Sequence, residues 1–207
     1  MNFSLEIYMR TEKDNIGSIQ LPDEVVYGIH TMRAVNNFPV SGEKINPYFI
    51  KAYLQVKLAA IKTNFKVGLI DEKKYEVIVK AIDNLINETD KTIDVDDQSI
   101  FSKIIVDPYQ GGAGTSLNMN INEVIANTAL KLSGKNFGDY DFIHPIDDIN
   151  LSQSTNDTYV TSLKIASIVL LRELTSSVSE LQRELQKKEN EFSGVIKLAR
   201  TQMQDAV

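Results

Sequence analysis

The sequence has no cysteine, two histidines and five prolines, the last of them at residue 145. Without cysteine there is no disulfide framework, no thiolate metal site and no cysteine nucleophile. His30 and His144 lie far apart with no ligand spacing around them, which argues against a histidine metal site. No apolar run reaches the roughly 18–20 residues that a membrane-spanning helix requires. The longest, near Ile165 to Leu171, is ended by Arg172 and Glu173. The opening MNFSLEIYMRTEKDN has no basic stretch followed by an apolar one, so no secretory signal is read there. Basic charge is in deficit: 22 Lys+Arg stand against 28 Asp+Glu, a net charge of −6. Nucleic-acid binding wants a basic face, so that class of partner is disfavoured. Together these absences are read as a cytoplasmic protein with neither a nucleic-acid nor a membrane partner. They do not bear on small acids, which need only a local donor-rich pocket.

What is present is enough apolar material for a core, 43% of 207 residues. The first fifty residues carry turn signals at Gly17, Pro22-Asp23, Pro39 and Ser41-Gly42. They predict short strands or irregular structure, with one short helix from Thr31 to Phe38. Pro47 then opens a helix whose apolar residues Ile50, Tyr53, Leu54, Leu58, Ile61 and Phe65 recur at helical spacing, and Gly68 closes it. A second helix is predicted from Asp71 to about Thr89, antiparallel to the first. Pro108, Gly111, Gly112 and Gly114 mark a loop. A helix is read from Ser116 to Leu132, ended by Ser133-Gly134, and then another loop through Gly138 and Pro145.

No glycine occurs between Gly138 and Gly194 and no proline after Pro145. That stretch predicts one long helix from about Thr155 to Glu191. Leu171, Leu174, Val178, Leu181 and Leu185 are spaced 3, 4, 3, 4, a heptad seam. Such a helix wants other long helices, from other subunits. Val195 to Leu198 reads as a short strand.

Three polar clusters sit at helix edges: GGAGTSLNMN (111–120), SQSTND (152–157) and ARTQMQD (199–205). Helix N-termini carry free N–H groups and a positive dipole end. Joined to hydroxyls and amides, they suit a small anion such as a carboxylate. The plain alternative is that Ser, Thr, Asn and Asp before a helix are ordinary N-caps. GGAGTS lacks the Gly-Lys-Ser/Thr ending of a P-loop, and no clear strand precedes it, which argues against a nucleotide site. Asp147 and Asp148 are read as a solvated loop rather than a carboxylate pair.

The clusters, in this order, resemble those of the aspartase/fumarase superfamily. GGAGTSLNMNINEVIAN resembles that family's first substrate-binding segment, IHPIDDINLSQSTND its second and VIKLARTQMQDAV its third. RTEKDNIG and YGIHTMRAVNNF resemble its opening. Within the family YGIHT, GGAGTS and Gln202 lean to the aspartase side; fumarases place a histidine at the position of Gln202. Ile146, Asp148 and Val160 depart from the residues more usual there. Class II fumarase and a non-catalytic interaction module are the rival readings, and lyases acting on larger succinate adducts rank below them.

The resemblance implies a mainly α fold: an N-terminal domain over 1–145 and, over 146–207, the start of a central long-helix bundle. It implies a homotetramer and reversible anti elimination of ammonia from L-aspartate to fumarate. No cofactor is required, and an activating divalent metal is left open. The implied substrate-binding residues are Thr115, Ser116, Ser154, Thr155, Asn156, Thr201 and Gln202. The family's catalytic base is a serine on a later glycine-rich loop, so none is expected within these 207 residues. The chain alone is then expected to be inactive, and its end is read as a truncation.

Overall fold

The computed structural model describes residues 8–197 and 202–204. The chain divides into two compact units, Met1–Ser167 and Ile168–Val207.

In the first unit, strands β1 (Met9–Lys13) and β2 (Ser18–Pro22) form an antiparallel hairpin with Met9 opposite Pro22 and Lys13 opposite Ser18. Asp14 holds its turn. One carboxylate oxygen accepts the Ile16 and Gly17 N–H groups, and both oxygens pair with Arg33 at 2.6 and 2.8 Å. Arg33 belongs to α1 (Ile29–Asn37), the short helix expected from the sequence.

Helices α2 (Pro47–Lys66), α3 (Glu72–Val95) and α4 (Thr115–Leu132) pack as a layered core, with α3 against both α2 and α4. Asn46 caps α2 from the Tyr48 N–H, with Pro47 at the first helical position. Asp71 caps α3 from the Lys74 N–H. Helix α3 runs six residues beyond the expected Thr89. Buried Thr89 and Thr92 carry its inner face onward, their hydroxyls bonded back to the Leu85 and Glu88 carbonyls. Threonines in place of leucines hid the continuing period.

Helix α4 is the central post and is buried on nearly every side. A helix buried all round must satisfy its polar side chains internally. Here three of them, Asn120, Glu123 and Asn127, clasp different segments. Asn120 bonds the Lys103 carbonyl and the Ile105 N–H at 2.9 and 3.0 Å. Asn127 bonds the Val26 carbonyl and the Gly138 N–H at 2.8 and 2.9 Å. Glu123 accepts from Gly28, His30 and Thr31 at the head of α1.

The sequence reading is corrected at two further places. Residues 145–149 form a turn of π-helix, capped by His144, whose Nδ1 accepts from the Ile146 and Asp147 N–H groups. Within it Asp148 is no solvated carboxylate. It accepts from Lys74 of α3 at 2.8 and 3.0 Å and from the His144 N–H at 2.7 Å, while Asp147 stays exposed. Secondly, no strand forms over residues 195–197, and Ile196 is 98% exposed. A strand needs a partner, and the hairpin is the only sheet among the described residues. Leu198, the end of that expected strand, lies outside the described residues.

Helix α5 (Thr155–Phe192) spans 38 residues, as the missing glycine and proline predict. Its first turns belong to the first unit and bury Thr158, Ser162 and Ala166, one stripe of small side chains. In the second unit, every residue from 171 to 192 is exposed, the heptad seam included. No described helix is long and apolar enough to cross a membrane.

Candidate functional site

The first two polar clusters meet at the starts of α4 and α5. Gly114, the N-cap of α4, sits at φ 84°, in the left-handed region where glycine is favoured. A Cβ there would lie 2.0 Å from Cδ2 of Tyr159, so the ring of α5 rests directly on the glycine loop. Gly111 is pressed in the same way by Phe38, whose ring would lie 2.4 Å from an added Cβ. One turn into each helix, Asn118 Oδ1 and Thr158 Oγ1 are 3.3 Å apart, and the Tyr53 hydroxyl is 3.1 Å from both. Burial raises the Tyr53 phenol well above its usual range, so it stays a protonated donor.

Each helix start is partly occupied. Gln110 reaches over α4 and accepts the Leu117 N–H on its Oε1 at 2.6 Å. Ser154 Oγ accepts the Asn156 N–H at 3.2 Å, so Ser154 is an N-cap as well as a candidate ligand. Among the described residues, the backbone N–H groups of Thr115, Ser116 and Thr155 have no hydrogen-bond partner. Thr115, Ser154 and Asn156 are exposed, Thr155 is half-buried and Ser116 is buried. Two neighbouring helix starts with free N–H groups and hydroxyls are an anion-binding arrangement. Thr201 lies outside the described residues, and Gln202 is an exposed residue of the second unit. The structure thus brings together the candidates of the first two clusters, both within the first unit.

Behind the two clusters lies a polar network that the sequence reading missed. Lys57 of α2 is 0% exposed and donates to Asn150 Oδ1 at 2.9 Å. The same oxygen accepts from Asn118 and Asn122 of α4 at 3.0 and 3.1 Å. No carboxylate lies within ion-pair reach of Lys57 among the described residues. Burial pulls its ammonium down to about 7. A signal was present: Lys57 falls four residues after Tyr53 and four before Ile61, at a core position of the apolar series. A cleft of about 550 Å³ lies elsewhere in the first unit, between Phe38, Lys44 and Phe101, and includes none of the candidate residues. Among the described residues no three His, Cys, Asp or Glu side chains gather to hold a metal ion.

A family model described as "Lyase" matches residues 17–207. The aspartate ammonia-lyase of a Bacillus species is 46% identical over 96% of this chain and 40% of its own length. That of Helicobacter pylori (strain 26695) is 48% identical over 96% of this chain and 41% of its own. Among solved structures, the fumarate lyase:delta crystallin of Brucella melitensis superposes with a TM-score of 0.85 at 42% identity, over 97% of this chain and 45% of that one. That protein has also been solved bound to cobalt. The class II fumarase of Schistosoma mansoni gives 0.80 at 31% identity, over 97% of this chain and 40% of that one. The chain therefore spans about two fifths of the length of the curated relatives it matches.

Proposed function

We propose an ammonia-lyase function from one premise: the chain belongs to the lyase family that holds the aspartases and fumarases. The reading is an aspartate ammonia-lyase, of which this chain supplies two carboxylate-binding helix starts. The observation that carries it is the meeting of GGAGTS and SQSTND at adjoining heads of α4 and α5, with unpartnered N–H groups at both.

The reaction is an anti elimination. A base takes a proton from the β-carbon of L-aspartate, and the C–H electron pair moves onto the β-carboxylate as a dianionic aci-carboxylate. That pair then forms the C=C bond as the C–N bond breaks. Ammonia leaves and fumarate remains. The costly species is the dianion, so fixed donors aimed at the carboxylate contribute most. Thr115, Ser154, Thr155 and Asn156 are those donors in this reading, with Ser116 beside them and Thr201 and Gln202 completing the set. Gln202 suits an amine leaving group, since ammonia departs without a proton donor whereas hydroxide needs one. The reaction as written uses no cofactor.

The base is not among these residues, and the proposal includes a homotetramer in which several subunits build each site. The division into 1–145 and 146–207 is proposed for that assembled enzyme. This chain alone is then expected to release no fumarate.

The test is ultraviolet absorbance of fumarate formed by the full-length protein from L-aspartate and, separately, from L-malate. Conversion of aspartate alone supports the reading, and conversion of malate alone replaces it with a fumarase. In the active enzyme, Thr155→Val should lower kcat/KM by roughly a hundredfold, about 3 kcal/mol.

A further inference from the structure

A buried lysine without a counter-ion is expensive, and such a group is kept only where its surroundings or its task require it. Among the described residues Lys57 faces neither solvent nor a carboxylate. Its Nζ instead meets the side chain that begins the turn leading into α5. Seven residues on, along the same face of α2, Asn64 donates to the Leu151 carbonyl at 2.8 Å. Helix α2 therefore grips residues 150 and 151 with two buried side chains.

The turn beyond is tied to itself. Asn150 Nδ2 donates to the Gln153 carbonyl at 3.1 Å, and Gln153 Nε2 donates to the Ile149 and Leu151 carbonyls at 2.8 and 3.1 Å. Ser152 is held at φ 60°, a left-handed conformation that a serine does not adopt unaided. The next three residues after Gln153 are Ser154, Thr155 and Asn156. Because Asn150 Oδ1 accepts from α2 and from two side chains of α4, it also sets the head of α5 against the head of α4.

We propose that Lys57 is a positioning residue for substrate: through Asn150 it fixes the turn that places Ser154, Thr155 and Asn156 beside the first cluster. The proposal rests on the ammonia-lyase reading given above. It predicts a separation between stability and binding that a purely structural lysine would not give. An apolar chain of similar length removes the cost of burying the lysine head group, so the fold should hold. Asn150 Oδ1 would keep its two asparagine donors but lose the anchor from α2.

The experiment uses the full-length enzyme with Lys57→Met, and Lys57→Gln as a second variant should the first not fold. Steady-state kinetics on L-aspartate, thermal unfolding, and hydrogen–deuterium exchange of the peptide covering residues 150–154 are measured together. We expect KM to rise about tenfold with kcat much less affected, the melting temperature to hold or rise, and exchange to speed up in that turn alone. A KM within twofold of the parent overturns the proposal. So does a rise in KM matched by lower stability and faster exchange throughout α2, which is the signature of a merely structural side chain. If the parent enzyme does not convert aspartate, the function reading fails separately. Lys57 is then judged on exchange alone: a selective acceleration at 150–154 keeps its positioning role, and an unchanged turn removes it.

Discussion

Glu123 shows how a single side chain can set one end of a domain. It is fully buried, and its carboxylate collects three backbone N–H groups and one hydroxyl from the head of α1, at 2.6 to 3.1 Å. Burial opposes the charge and the four donors favour it; burial prevails, and the group is pushed up to about 7 from 4.5. A carboxyl whose folded value lies above its unfolded one binds its proton more firmly in the folded state. The stability it contributes is therefore complete below about 4.5 and is lost as pH rises through about 7. In Glu123→Gln, the amide oxygen can serve Gly28 and Thr31, but the amide nitrogen would face the His30 N–H. One unsatisfied buried donor costs about 1–3 kcal/mol. Urea unfolding on either side of that pH window should show the loss, and the variant should lack the share of the pH slope that Glu123 supplies. Lys57 slopes the other way. A base pulled down to about 7 from 10.5 adds stability as pH rises across that interval, because there the unfolded chain holds the extra proton.

At the scale of elements, the glycines at the two ends of α4 can be sorted by what surrounds them. Gly114 and Gly134 both have positive φ, 84° and 71°, but only Gly114 has an aromatic ring where its Cβ would be; Gly134 has nothing within 4 Å. Gly134→Ala should cost about 1 kcal/mol, the conformational penalty alone. Gly114→Ala adds overpacking against Tyr159 and should cost roughly 2–4 kcal/mol. Urea titration of both variants checks the difference. The ring over Gly114 was invisible in the sequence. GGAGTS announced a turn before a helix, but not that Tyr159 would lie across it, because that contact joins residues 45 apart. Helix starts were legible from local signals, Pro47, Asp71 and the Ser-Thr pair at 154–155, since caps act within a turn. The end of α3 was not legible, because buried threonines bonded to their own helix look polar in a linear reading. The same limit hid the Lys57–Asn150 network. Its members come from α2, α4 and the turn before α5, and a lysine on an apolar face reads as an interruption until its partner is placed.

At the scale of the whole molecule, α5 leaves an apolar stripe uncovered among the described residues. From residue 171 to 192 it exposes every side chain, including Leu171, Leu174, Val178, Leu181 and Leu185, each more than half exposed. Its charged residues pair along the helix rather than covering the leucines: Arg183 with Glu180 at 3.1 Å, Lys187 with Glu184 at 2.6 Å and Lys188 with Glu191 at 2.6 Å. Such surface pairs contribute only a few tenths of a kcal/mol each, too little to hold an isolated helix of this composition. The leucine stripe outweighs them once it is covered. Burying one such side chain stabilises by about 1.5–3 kcal/mol, and a heptad repeat places all five on one seam. A helix of this kind is stable in assembly and marginal when it stands alone. Replacing Leu174 and Leu181 together by Gln removes two neighbouring seam positions and leaves the first unit, which ends at Ser167, untouched. If the seam joins the proposed homotetramer, size-exclusion chromatography with light scattering on the full-length protein should then show it dissociating at concentrations where the parent stays intact, with the circular-dichroism helix signal falling in step. An unchanged mass for the double variant would show that the seam is not the surface that joins the subunits.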